Sequence, residues 1–297
     1  MIKVRVPATS ANMGPGFDCM GVAVGLYNEF GFKETNGGLS FNGVLEEFCN
    51  KDNIIYSAMM KCFEKANYKV LGLEISILKQ DIPISRGLGS SSSCIVAGLI
   101  GANEILGGKF TRDELFEMAV EIEGHPDNVA PAIFGGMVVS IKEDNKFYYD
   151  KVNIKEELKF VPIIPDFRLS TKKAREVLPK EISIKDGVYN VSRAALMISA
   201  LSNGNMELLK FACKDAFHEN YRSKLIEGFD KVKNEAYKCG ALASFLSGAG
   251  PTIMALTLKS EDGLVNGIKD FLIKNSLHWD VYELSIDNVG AKVIEGE

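Results

Sequence analysis

The stretch DIPISRGLGSSSSCIVAGLIGANEIL, residues 81–106 of a 297-residue chain, limits the possible folds more than any other. Two glycines within three residues lead into four consecutive serines and then into apolar residues at helical spacing, with Ile95, Leu99, Ala102 and Leu106 on one face. Just upstream, LEISILKQ alternates with period two and predicts a strand leading up to Pro83. The order strand, glycine-bent loop, helix places the serines at a helix N-terminus. Amides there lack intrahelical partners, and the helix dipole adds partial positive charge. Gly87 and Gly89 allow backbone angles and a close approach that a Cβ forbids, so a valine at 89 should block an anion while sparing the fold. The serine hydroxyls can donate to phosphate oxygens or ligate a hard cation.

Better-known phosphate signatures do not fit. There is no G-x-x-x-x-G-K-[ST], the third glycine of G-x-G-x-x-G is replaced by Ser92, and the hydrolase elbow G-x-S-x-G is missing. The loop therefore suits a nucleotide site of another type.

Composition narrows the class further. At 46% hydrophobic and 25% charged residues the chain has ample material for a core, and its length accommodates two domains or one large one. A net charge of −5 argues against nucleic acid or an anionic membrane bound by general electrostatics. Six cysteines are scattered with no C-x-x-C pair, and three histidines leave few neighbours for zinc, so a reducing compartment is expected. MIKVRVPATS lacks the apolar region of a signal peptide, and CIVAGLIGA is far short of a membrane span. The expectation is a soluble, cytoplasmic protein.

IKVRV opens as a strand, PATSANMGPGFDCMG follows as a loop, and VAVGLYNEFGF resumes strand character. NIIYSAMMKCFEKAN has helical spacing, and TRDELFEMAVEIEG predicts a helix capped by Thr111 through Glu114. GHPDNVAPAIFGG reads as a loop entering the strand MVVSIK, and the charged KEDNKFYYDKVNIKEEL ends a first domain, 1–155. The second domain, 156–297, starts with the strand KFVPIIP. Helices are predicted in DGVYNVSRAALMISAL, NMELLKFACKDAFHENYRSKLI and FDKVKNEAYKCG. The strand-like SFLSGAGPTIMALTL, a helix around EDGLVNGIKDFLIKN and the strand HWDVYELSI complete it. Mixed alternation of this kind predicts two α+β domains and not one doubly wound sheet.

PISRGLGSSSS resembles the phosphate loop of the GHMP small-molecule kinases, the superfamily of galactokinase, homoserine kinase, mevalonate kinase and phosphomevalonate kinase. VPATSANMGPGFD and LSGAGPTIMAL fall in the order of that superfamily, and EGHPDNVAPAIFGG narrows the likeness to its homoserine kinases. The resemblance covers nearly the whole chain. It implies an N-terminal domain like the second domain of ribosomal protein S5, a C-terminal ferredoxin-like domain, and ATP bound between them with Mg2+. The implied activity is phosphorylation of the L-homoserine hydroxyl, a step towards threonine. No nucleic-acid or membrane partner is implied, and pairing into a homodimer is left open.

The same likeness assigns candidate residues. Pro83, Ile84, Ser85, Arg86, Gly87, Leu88, Gly89, Ser90, Ser91, Ser92 and Ser93 would hold the nucleotide, with Asn53 near its base. Arg175 and Arg222 would clamp the substrate carboxylate, a task suited to a planar guanidinium fork, with Thr171 and Gly248 beside them. Asn12, Asp18, Asp127 and Asn128 would meet the ammonium and hydroxyl groups, and His125 would shape the pocket. Ser90 and one helix carboxylate would reach the metal. Glu121 and Glu123 lie two apart, so only one can face the site, and the motif alignment favours Glu121. Asp127 is either the proton acceptor or the partner of the ammonium. Two alternatives stay open: another kinase of the superfamily, or a nucleotide sensor that keeps the fold without turnover.

Overall fold

The period-two alternation at the N-terminus becomes a strand in the computed structural model, which describes residues 1–144, 146–155, 157–258 and 263–295. The first half runs β1 (Ile2–Ala11), β2 (Met20–Thr35), β3 (Gly38–Asn42), α1 (Ile54–Lys65), β4 (Gly72–Gln80), α2 (Ser90–Ile105), α3 (Arg112–Glu123), α4 (Pro126–Phe134), β5 (Met137–Glu143) and β6 (Lys146–Val152). The second half continues with β7 (Leu158–Ile164), α5 (Thr171–Glu176), α6 (Ile184–Asn203), α7 (Leu209–Ala212), α8 (Glu219–Arg222), α9 (Phe229–Lys238), β8 (Ala243–Leu246), β9 (Ile253–Leu258), α10 (Leu264–Lys274), β10 (Asp280–Val281), β11 (Leu284–Ser285) and β12 (Lys292–Ile294).

Local chemistry explains the helix ends. The Asn53 side chain accepts from the amides of Ile55 and Tyr56 to cap α1, and Thr111 with Glu114 forms a reciprocal capping box on α3. Helix α2 is apolar almost all round because it is the central helix, packed on α1, α3 and the sheet. Gly98 and Gly101 let it come close: a Cβ there would lie 2.6 Å from the Ile55 carbonyl and 2.3 Å from the Phe32 ring.

The first sheet has strand order β12-β1-β2-β4-β3, with β5 on β2 and β6 on β5, and only the β3–β4 pair is parallel. Its core joins Val4, Val6, Phe30, Phe32 and Ile75 to α1–α4. The second sheet has order β10-β7-β9-β8, with β11 also on β7, all antiparallel. Taken in chain order, its four main strands follow the ferredoxin-like pattern. Alternation along β9 divides two cores: Met254 and Leu256 face the first sheet's Ala8, Val22 and Val24, while Ile253 and Ala255 face α9 and α10.

The chain changes sheet between β6 and β7, but it does not stay there. β12 returns to pair with β1, and Ala291 donates its amide to the Ala132 carbonyl at the end of α4. A simple division into 1–155 and 156–297 misses this return, because three residues of strand are too short to announce themselves. Residue 156, where the second domain was expected to begin, lies outside the described residues, as do 261 and 262 in the expected last helix. No helix among the described residues is long and apolar enough to cross a membrane.

Candidate active site

A cavity of about 530 Å³ opens where the two halves meet, lined by the serine loop, the loop after β1, and residues from α5 and α8. Gly89 precedes α2 in a left-handed conformation (φ 71°) and offers no side-chain cap to the first amides of the helix. Those amides, those of a sixteen-residue helix, are at the cavity wall with Ser90 and Ser91. Thr9 holds this bend: its amide donates to the Leu88 carbonyl (3.2 Å), and a Cβ on Gly89 would lie 1.9 Å from its Oγ1.

The loop divides by role. Ile84, Ser85, Arg86, Gly87, Gly89, Ser90 and Ser91 line the cavity. Leu88 is buried in the core between the sheets, and Pro83, Ser92 and Ser93 do not reach the cavity wall. Ser93 donates to the Ser90 carbonyl (2.8 Å) and accepts from Asn28. Ser92 Oγ donates to Glu123 Oε1 (2.9 Å) and Ser91 Oγ to Glu123 Oε2 (3.2 Å). Arg86 lines the cavity, yet its guanidinium donates to the Pro165 and Asp166 carbonyls of the second half (2.9 and 2.6 Å).

Glu121 is the residue the geometry corrects. Its carboxylate pairs with Lys61 on α1 at 2.6 Å, half exposed and away from the cavity, whereas Glu123 lines it. Two residues span about 200° of a helix, and the packing of α3 beside α2 turns the later one inward. Asn53 lines the cavity, where its side-chain oxygen caps α1 and its amide nitrogen donates to the Phe48 carbonyl (2.9 Å).

The polar end of the cavity gathers Asn12, Asp18, His125, Asp127, Asn128, Thr171, Arg175, Arg222 and Gly248. Asn12 and Asp18 both take positive φ (60° and 55°), and the Asn12 side chain accepts from the Asp18 amide and donates to the Gly248 carbonyl. Arg175 grips Asp18 in a two-pronged pair (2.8 and 3.0 Å), so both groups expected to meet substrate meet each other. Burial opposes the Arg175 charge, but the bond to Asp18 outweighs it and raises the pKa. Arg222 is almost wholly buried. Burial, then the charge of Arg175, pushes its pKa down to about 10, which leaves it protonated at neutral pH.

Asp127 is on the first turn of α4, where a carboxylate meets the positive end of the helix. Its Oδ1 is 2.6 Å from His125 Nδ1. Burial would lower the His125 pKa, but the hydrogen bond and charge of Asp127 overcome it and the net shift is upward. Asn128 accepts from Thr9 Oγ1 (2.7 Å), which links the carboxylate end to the bend at Gly89.

Thr9 and Phe17 escape the sequence reading. The Phe17 ring is near both arginines, its centroid 5.8 Å from Arg175 Cζ and 5.3 Å from Arg222 Cζ, and it stacks on His218. A phenylalanine in GPGFD looks like turn hydrophobe, and only the fold brings the guanidinium groups to it. The available metal donors are hard oxygens. Among the described residues no group of three His, Cys, Asp or Glu is arranged to hold a metal ion.

Comparison with known proteins agrees with this geometry. Residues 53–136 match the GHMP kinases N terminal domain, and residues 197–274 match the GHMP kinases C terminal domain. The homoserine kinase of Clostridium beijerinckii is 66% identical over 296 residues, covering 100% of this chain and 99% of that protein. The homoserine kinase of Clostridium botulinum strain Eklund 17B is 65% identical with full coverage of both. The solved homoserine kinase of Cytophaga hutchinsonii superposes with a TM-score of 0.89 at 30% identity, covering 99% of this chain and 97% of that one. With both halves of the fold, the serine loop and full-length relatives in agreement, the chain belongs to the GHMP kinases and, within them, to the homoserine kinase family.

Proposed function

We propose that the protein transfers the γ-phosphoryl group of ATP to the hydroxyl of L-homoserine, giving O-phospho-L-homoserine and ADP. The observation that carries this is a single cavity joining an anion-binding helix N-terminus to a buried guanidinium and two carboxylates. One end suits polyphosphate and the other suits a zwitterion.

In this reading the amides from Gly89 to Ser91 receive the phosphates, and Leu45, Phe48, Ile54 and Ile77 form the apolar end for the base. Arg222 already spends Nε on the Ala174 carbonyl and Nη1 on the Gly248 carbonyl, so Nη2 is the edge left for the substrate carboxylate. The Asp18–Arg175 pair exchanges partners with the zwitterion, Asp18 taking the ammonium and Arg175 the carboxylate. Asp127 supports the ammonium and hydroxyl. With Oδ1 committed to His125, it serves as a binding group, and phosphoryl transfer depends more on positioning and charge neutralisation than on a strong base.

The residues present fit magnesium. That ion takes one or two carboxylates beside substrate phosphates and keeps several waters, and Glu123 with the Ser90 and Ser91 hydroxyls offers such oxygens. When bound, it neutralises charge on the β- and γ-phosphates. The hydroxyl oxygen forms the new bond to phosphorus, the bond to the bridging oxygen of ADP breaks, and the hydroxyl proton leaves to the phosphate or solvent. The test is ADP release from Mg-ATP with homoserine, mevalonate, galactose and shikimate offered separately. Turnover is expected with homoserine alone. Equal turnover with mevalonate, or none with any acceptor, would overturn the reading.

A further inference from the structure

Behind Arg222 lies a buried histidine that the mechanism above does not use. His218 is 1% exposed, and its ring stacks on Phe17 with centroids 5.2 Å apart. Its Nδ1 is 3.4 Å from Arg222 Nη1. A guanidinium only donates, so this nitrogen must present its lone pair. On the far side Nε2 forms no hydrogen bond of normal geometry among the described residues, and the Asp215 carboxylate lies 3.8 Å from it. A carboxylate on that side places the proton on Nε2.

The histidine is itself fixed. Asp215 accepts from the amides of Phe217, His218 and Glu219 and from the Asn190 side chain at 2.7 Å, which anchors the turn entering α8. Burial holds His218 below the ordinary histidine range, against the opposing charge of Asp215. A protonated ring would point an N–H at the Arg222 N–H, so the neutral form is the one compatible with the contact.

We propose that His218 is a positioning residue for substrate recognition: as the neutral Nε2–H tautomer it accepts from Arg222 Nη1 and, with Phe17 and the Ala174 and Gly248 carbonyls, turns the remaining guanidinium edge towards the cavity. The inference rests on the homoserine reading for the group that Arg222 meets. Its chemistry is selective, because a misplaced Arg222 weakens binding of a carboxylate and leaves the nucleotide end untouched.

Two variants test it. His218→Phe keeps a ring on Phe17 and removes the acceptor, and His218→Asn restores an oxygen near the place of Nδ1. The phenylalanine variant should raise the KM for homoserine about tenfold with the KM for ATP within about twofold, the size expected for one bond to a charged group. The asparagine variant should recover most of that loss. A folded His218→Phe protein with unchanged homoserine KM, or with both KM values raised together, overturns the proposal. A wild-type protein inactive on homoserine instead sinks the substrate reading. A measurement on unmodified protein stands beside the variants. Nitrogen-15 shifts of the three histidines should show His218 neutral with its proton on Nε2, and an imidazolium or an Nδ1–H tautomer at pH 7 would refute the assignment.

Discussion

At Glu123 one carboxylate spans two serine hydroxyls of the loop, at 2.9 and 3.2 Å, and still borders the cavity. Its charge is therefore placed to order the loop, and in the proposed reading it also receives a hard cation. Glu121 is a surface partner of Lys61, and exposed pairs contribute about 1 kcal/mol or less. Glu123→Gln is expected to lower kcat at least tenfold and to raise the magnesium concentration needed for half-maximal rate. Glu121→Gln should change either by less than about twofold. Steady-state rates over a magnesium titration decide it, and the reverse ranking would return the metal role to Glu121. The sequence offered both glutamates and could not rank them physically, since the choice depends on which side of α3 meets α2. The family resemblance named Asp18, Asp127, Arg175 and Arg222, and all four line the cavity. Thr9 and Phe17 stayed hidden because they act only through neighbours far away in the chain.

The same division recurs in the elements. The strand before the serine loop, α2 behind it and the capping box of α3 were legible from periodicity and cap chemistry. GHPDNVAPAIFGG was not: two prolines and the closing glycines read as a loop, yet residues 126–134 form α4. Pro126 occupies the first helical position, where its missing N–H costs nothing, and eight of the nine residues are buried. The predicted long helix NMELLKFACKDAFHENYRSKLI also breaks, because Asp215 captures three successive amides and starts α8 afresh. That break starts the helix that carries Arg222 to the cavity with His218 behind it. A prediction at this scale concerns the bend into α2. Loop chemistry alone suggested that a branched residue at Gly89 would spare the fold, but any Cβ there would lie 1.9 Å from Thr9 Oγ1. Gly108 is a matched control, with φ 78° and nothing within 4 Å of its added Cβ. Gly108→Ala should cost only the left-handed strain, about 1–2 kcal/mol, with ATP affinity unchanged. Gly89→Ala should lower the thermal midpoint further and weaken ATP binding at least tenfold, as read by calorimetric titration. Equal effects of the two substitutions on both quantities would remove Gly89 from the nucleotide site.

Over the whole molecule, the nucleotide loop belongs to the first half by sequence but is held largely by the second. Arg86 donates to the carbonyls of Pro165 and Asp166 beyond β7, while Thr252 donates to the Arg86 carbonyl from both its amide and its hydroxyl. Ser247 Oγ donates to the Gly87 carbonyl (2.6 Å), and the Gly248 amide reaches back to the Ala11 carbonyl at 3.0 Å. These bonds surround the junction where the cavity lies, so in the proposed reading the phosphate end and the amino-acid end share a frame. The family likeness placed Arg86 among the nucleotide contacts, and it lines the cavity while its guanidinium bonds also tie the halves together. The two roles predict different kinetics. A residue touching only nucleotide phosphates raises the KM for ATP when removed, whereas a tie displaces the loop relative to Arg222 and Gly248 and so disturbs both ends. Arg86→Met keeps the aliphatic stem and removes the donors. It should raise the KM for ATP and for homoserine together, each by about threefold to tenfold, and narrow the rise in thermal midpoint that ATP produces, because weaker binding gives less linked stabilisation. A rise confined to ATP would make Arg86 a nucleotide ligand. Unchanged constants for both would mean that the packed cores between the sheets, and not the hydrogen bonds at the loop, hold the two ends in register.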